Sequence, residues 1–201
     1  LSRLVVAPIV EGHGEQEAVR VLLDRLWREL SGGGYLEVVR PIRRPRNQLA
    51  QEEHLLKAIG LARLKLRARL SSEDVGFVLV LVDADKDLPC RLGPKLQTYA
   101  SGADLDISCV VANVEYETWF VAAAESLTQY LDITDRVVPT DPESEHCGKG
   151  WIGRRIKTPK YSETVDQPKL TAAMDLELCR KRSPSFDKLC RELEKRLPSP
   201  E

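Results

Sequence analysis

The run Gly76-Phe77-Val78-Leu79-Val80-Leu81-Val82 is apolar throughout, rich in β-branched residues, and ends abruptly in Asp83-Ala84-Asp85-Lys86-Asp87. A segment of that length and character reads as a central strand buried on both faces, and such strands belong to parallel sheets covered by helices. A second apolar run, Leu4 to Val10, stops at Glu11-Gly12-His13-Gly14-Glu15. Behind it Val19, Leu22, Leu23, Leu26, Trp27 and Leu30 recur at helical spacing until Gly32-Gly33-Gly34 ends the pattern. Short strands are expected at Tyr35–Arg40 and Ile107–Val114, and helices over about Glu52–Leu70 and Arg91–Tyr99. Alternation of strand and helix predicts an α/β fold with a mainly parallel sheet of about four strands flanked by helices.

The segment Pro41-Ile42-Arg43-Arg44-Pro45-Arg46 is expected to be an irregular basic loop because of its prolines. Past Leu131 the polar stretch Asp141–Gly150 carries no periodicity and reads as a long loop. Helices resume near Asp166-Gln167-Pro168, which reads as a cap, and after Ser183-Pro184, where Phe186, Leu189, Cys190, Leu193 and Leu197 share one face. The expected organisation is a core over 1–131 and a loop and helical C-terminal extension over 132–201 that packs on it.

The balance of charge restricts the partners. With 42% hydrophobic and 30% charged residues and a net charge of −1, the 201-residue chain has no overall attraction to nucleic acid, so such binding needs a local patch. Arg40, Arg43, Arg44 and Arg46, with Lys57 on the following helix, form one candidate, although basic runs are also commonly just solvated faces. Five scattered cysteines, none in a CxxC pair, argue against a disulfide framework or a zinc site and suit reduced thiols in a cytoplasmic protein. No stretch approaches the ~20 apolar residues that span a bilayer, so no membrane association is expected.

The chemistry lies where the strands stop. In a parallel sheet Glu11, Asp83, Asp85 and Glu115 all emerge at the carboxyl edge, the edge at which α/β proteins bind ligands. If the strand continues through Asp85, its side chain points the same way as that of Asp83. Unit charges 4 Å apart repel by roughly 4 kcal/mol at an effective dielectric near 20, so such a pair requires a cation or a raised pKa. Oxygen-only ligands select magnesium or manganese over zinc. The same residues also read as ordinary structure: Asp83-Ala84-Asp85 as a polar turn capping a helix, Glu115 and Glu117 as first-turn acids, His13 as a solvated turn residue, and His146-Cys147 as an exposed loop.

An EGxxE after the first strand and a DxD after a later central strand resemble the TOPRIM domain of topoisomerases, primases and several nucleases. More closely, VEGHGEQEAV, VLVLVDADKD, NVEYETWFVAA, YSETVDQPKLTAAMDL and SFDKL resemble a TOPRIM-like group, domain-of-unknown-function family 4276. The resemblance implies a Rossmann-like TOPRIM fold, with the glutamate on Glu11, Glu15 as an additional ligand, the aspartates on Asp83 and Asp85, and a later acid on Glu115 or Glu117. It also implies an assisting lysine, for which Lys149 is favoured over Lys157, Lys160 and Lys169. The implied activity is Mg²⁺- or Mn²⁺-dependent cleavage of DNA or RNA, in phage defence or mobile-element biology, with an ATPase partner. The rival reading is a non-catalytic or partner-dependent regulatory subunit with a vestigial site. A haloacid-dehalogenase-type phosphatase fits poorly, because Lys86-Asp87 stands where a small β-branched residue is expected. A nucleotide-binding P-loop is unsupported, because Gly12-His13-Gly14 is not followed by Gly-Lys-Ser/Thr.

Overall fold

The computed structural model describes residues 3–134, 138–144 and 148–198. Strands β1 (Leu4–Val10), β2 (Leu36–Val38), β3 (Ile42–Arg43), β4 (Val75–Asp83) and β5 (Ile107–Ala112) form one sheet in the order β2-β1-β4-β5. Every pairing is parallel. β2 pairs with the first half of β1 and β3 with its end, where Ile9 and Val10 meet Ile42 and Arg43. Between the strands run α1 (His13–Leu30), the single turn α2 (Arg46–Leu49), α3 (Glu52–Arg67) and α4 (Pro89–Ala100). After β5 come α5 (Glu117–Ala122), α6 (Gly148–Gly153), α7 (Glu163–Ala173), α8 (Leu176–Arg182) and α9 (Pro184–Glu194).

The alternation of side chains along a strand divides the core into two layers. Phe77, Leu79 and Leu81 of β4, with Leu4, Val6 and Val10 of β1, pack beneath α1, α5, α7, α8 and α9. Val78, Val80 and Val82, with Val5, Ala7 and Ile9, pack against α3 and α4. Both faces of the central strands are therefore apolar, which is why they read as unbroken hydrophobic runs. The same periodicity directs Asp83, which continues the series of Phe77, Leu79 and Leu81, onto the face that carries α1.

The structure corrects several expectations. The segment Pro41–Arg46 is not an irregular loop, because Ile42 and Arg43 pair with β1 and Arg46 opens α2. A proline before the strand removes no donor from it, and Pro45 precedes the turn, where an N–H is not needed. Helix α7 begins at Glu163 rather than at Asp166-Gln167-Pro168, and Pro168 lies inside it. Asp166 instead accepts a hydrogen bond from the Ser162 N–H at 2.7 Å, so the acid closes the first turn from within. The stretch expected as a loop already contains a 3₁₀ turn at Pro142–Ser144 and the start of α6 at Gly148, while His146 and Cys147 lie outside the described residues. Ser183 does cap α9, accepting from the Phe186 N–H at 3.1 Å.

The C-terminal helices share a core with the sheet. Leu170, Met174, Leu176, Phe186 and Leu189 belong to the same hydrophobic cluster as β1 and α1. Phe186 meets Trp119 edge-on with ring centroids 5.2 Å apart. Among the described residues no helix is long and apolar enough to cross a membrane.

Candidate metal centre

Three carboxylates converge at the carboxyl edge of the two central strands. Glu11 follows β1, Glu15 stands in the first turn of α1, and Asp83 ends β4, with one oxygen of each lying within 4.8 Å of the others. Two of them are aimed by backbone donors. Glu15 reaches back to the N–H groups of Glu11 at 3.2 Å and Gly12 at 3.3 Å, satisfying donors that a helix start leaves open. Asp83 accepts the Tyr116 N–H at 2.8 Å, which ties it to the segment entering α5. Glu11 is left incomplete: its Oε2 is buried and has no hydrogen-bond partner, with Arg46 Nε 3.9 Å away.

Burial pushes all three carboxyls up. Glu11 is raised to about 7, first by burial, then by the charges of Glu15 and Asp85, against a smaller pull from Arg46. Burial raises Asp83 well above the usual carboxylate range, and Glu15 and Glu11 add to it. Glu15 is raised by burial against the two N–H donors that favour its charged form. Three acids that destabilise one another's charge, with one oxygen unsatisfied, form a set that a hard cation would complete.

A second tier of residues stands behind the three. Glu117 is fully buried on α5, raised to about 7 by burial, and accepts hydrogen bonds from Gln167 Nε2 at 2.8 Å and Tyr161 Oη at 3.0 Å. Lys149 sits 3.2 Å from Glu163. Burial alone would lower its pKa, but Glu117, Glu163 and Asp83 outweigh that and hold it charged. Its charge in turn acts on Glu15, Asp83 and Glu117. Lys157 lies elsewhere, bonded to the Thr128 carbonyl at 2.7 Å, and Lys160 and Lys169 are exposed.

Other expected residues fall outside the three. The strand ends at Asp83, and Asp85 turns into the left-handed region at φ 52°, exposed to solvent, so its side chain does not continue beside that of Asp83. Its charge still reaches Glu11. Glu115 accepts the Lys149 backbone N–H at 2.8 Å and so anchors the start of α6. Of the basic set, Arg46 bonds the Asp83 carbonyl at 2.9 Å and Asp87 at 2.6 Å, beside Glu11. Arg44 donates to the Val10 carbonyl through its backbone at 2.9 Å, and Arg43 is half-buried with an unpartnered Nε. Arg40 is exposed, and Lys57 pairs with Glu53 on the outside of α3 at 2.6 Å.

Sequence reasoning assigns no role to Tyr161, Glu163 or Gln167, which support Glu117 and Lys149. Their segment has little apolar periodicity, so nothing in it shows which side faces the sheet. The one signal is Gly14. A Cβ there would lie 2.2 Å from Gln167 Oε1 and 2.5 Å from the Glu163 carbonyl, so α7 crosses α1 at backbone contact. Gly14→Ala is expected to push α7 off α1 and lower stability by about 1–3 kcal/mol, the usual cost of overpacking. Chemical denaturation checks this, and an unchanged midpoint would contradict the close crossing.

No curated protein and no solved structure matches the chain. A family model matches residues 10–194, a span that takes in both strand-end acids and all of the helices that support them. The chain therefore belongs to the family described as Domain of unknown function (DUF4276).

Proposed function

We propose that this protein is a metal-dependent hydrolase of phosphodiester bonds in DNA or RNA, built on a TOPRIM-like site. The observation that carries the reading is the buried, unpartnered Glu11 Oε2 among three converging carboxylates that burial and one another's charge push toward their protonated forms. Glu15 and Asp83 would hold the ion, with Glu11 as a third ligand or as the base beside it. An all-oxygen set suits Mg²⁺ or Mn²⁺. When bound, such a cation polarises a phosphoryl oxygen and offsets the negative charge of the substrate.

The chain's own residues supply the rest. Glu11 stands nearest solvent of the three, and in place of binding the ion it would orient and deprotonate an attacking water. Lys149, held charged by Glu117 and Glu163, offers a fixed positive charge where negative charge develops on the phosphate. Asp85, Glu115 and Glu117 act around this set: Asp85 through its charge on Glu11, Glu115 by fixing α6, and Glu117 by fixing Lys149. Arg43, Arg44 and Arg46, at the rim beside the end of β1, are the residues best placed to meet a phosphate backbone. Arg40 and Lys57 add positive charge farther out. Backbone contacts of this kind carry little sequence preference and weaken as salt rises.

A second reading is favoured by one observation. Glu15, Asp83 and Glu117 are each no more than 5% exposed, so the acids lie below the surface of the isolated chain. That suits a subunit whose site opens only beside a partner, such as the ATPase that the family resemblance implies in a cytoplasmic defence or mobile-element setting.

The experiment offers supercoiled plasmid and single-stranded RNA to the purified chain with Mg²⁺ or Mn²⁺, across a salt series. Cleavage that is lost in EDTA is the expected result. Metal binding without cleavage by the isolated chain would favour the partner-dependent reading, and absence of Mn²⁺ binding by calorimetry would sink both forms of the metal site.

A further inference from the structure

The outer face of α3 carries a row that nothing in the described chain covers. Leu56 is 37% exposed and Leu64 62%, whereas Leu55, Ala58, Ile59, Ala62 and Leu66 on the opposite face are buried against the sheet and α4. Gly60 lies in the same row, and a Cβ built on it would meet no atom within 4 Å. At about 100° per residue, Glu53, Leu56, Gly60, Leu64 and Arg67 all fall within about 40° of one line along the helix. The stripe is therefore a continuous seam of the kind a second helix packs into.

The order of residues along that seam reads the same from either end in size and oppositely in charge. Gly60 is at its centre, Leu56 and Leu64 lie four residues to either side, and Glu53 and Arg67 seven to either side. Set against a second, antiparallel copy with the two-fold axis at Gly60, each Leu56 meets the partner's Leu64, and each Glu53 meets the partner's Arg67. The glycines at the axis allow close approach of the backbones. Arg67 is exposed and has no ion-pair partner among the described residues, while Glu53 bridges only to Lys57 on its own helix. A row that is complementary to itself under two-fold rotation is what an isologous interface requires.

We infer that α3 is a homodimer interface, in which two copies of this chain pair through antiparallel α3 helices crossing at Gly60. The occupant is a second copy because the charges at the two ends of the centre line, Glu53 and Arg67, match their own reverse, while Lys57 and Arg63 stand about 60° to either side, at the rim, where solvent and salt screen their repulsion. A partner helix of a single charge would oppose either Glu53 or Arg67. A single helix pair buries less than the ~1,600 Å² of a standard interface, so the dimer is expected in the micromolar range. The pairing leaves the carboxylate site outside the interface and stands whether or not that site is catalytic.

The test is sedimentation velocity of the full chain from low micromolar to several hundred micromolar. Wild type is expected to pass from monomer to dimer. Leu64→Glu, at an exposed position that the fold tolerates, is expected to weaken association at least ~10-fold, as loss of a central apolar anchor does. Glu53→Arg and Arg67→Glu alone are each expected to weaken it roughly 3- to 10-fold, since each places two like-charged pairs across the axis. The combined Glu53→Arg, Arg67→Glu variant restores opposite charges at both contacts and is expected to return to within about twofold of wild type. A chain that stays monomeric throughout overturns the inference, as does a dimer indifferent to Leu64→Glu or a double variant that remains as weak as the singles.

Discussion

Asp83→Asn is expected to abolish the response to divalent metal while raising the stability of the metal-free protein near pH 8. The two effects share one cause. Asp83 accepts the Tyr116 N–H, and an asparagine oriented by that same bond turns its amide NH₂ toward the neighbouring carboxylates of Glu11 and Glu15. The amide donates where the aspartate repels, so the variant supplies internally the compensation that wild type takes from a proton or a cation. It also removes one anionic ligand of three, which is expected to cost at least ~100-fold in metal affinity, since altering even groups outside the ligand set commonly costs 10–100-fold. Thermal melts with EDTA and with Mn²⁺ read both effects: wild type shifts upward with metal, and the variant starts higher and does not shift. Cleavage by the variant at the wild-type rate would remove Asp83 from the proposed mechanism. A metal-free variant less stable than wild type would mean that the carboxylates are not mutually strained.

The metal-free protein is further expected to lose stability as pH rises from about 4.5 to about 7, opposite to the behaviour of a protein held by salt-bridged acids. Glu11 and Glu117 are each pushed up to about 7 by burial, and Glu15 and Asp83 are raised for the same cause. A carboxyl whose folded pKa exceeds its unfolded value binds more protons in the folded state, so stability is fully present below the unfolded pKa and is lost as pH climbs to the folded one. For Glu11 alone the shift corresponds to on the order of 3 kcal/mol, and the coupled group is not additive. Saturating Mn²⁺ should flatten the dependence, because metal takes the place of the protons. Denaturation midpoints at pH 5 and pH 8, each with EDTA and with Mn²⁺, separate the outcomes. A metal-free protein equally stable at both values would mean that the carboxylates ionise freely, and the site as described would fail.

How much of this is legible in the sequence follows from what each signal measures. The central strands are readable because both faces are buried, and an unbroken apolar run such as Phe77–Val82 suits no element with a face in water. Glu11 and Asp83 can be assigned to the same edge because strands in a parallel sheet run the same way, so an acid that ends one lies beside an acid that ends its neighbour. Helix α9 is legible from Ser183 and its apolar face. Ile42 and Arg43 are not, because a two-residue strand has no periodicity and exists only through its pairing with β1.

Other features depend on distances between segments far apart in the chain. Family resemblance marks Glu15 as an additional ligand, but its place beside Asp83 depends on the helix start folding back over the strand end. Asp85 is equivalent to Asp83 only if the strand continues, and a single left-handed residue removes that equivalence. Lys149 is one of four candidate lysines, and what distinguishes it is the company of Glu117, Glu163 and Asp83, contributed by three other elements. The sequence alone determined the central strands, the helices that flank them and the edge at which acids gather, because these follow from periodicity and burial along the chain. Which acids share a cavity, which lysine faces them and why Gly14 has no side chain were decided only by tertiary packing, since the contacts that fix them, such as Tyr116 to Asp83, Glu115 to Lys149 and Gly14 to Gln167, join residues far apart in the chain and leave no local pattern.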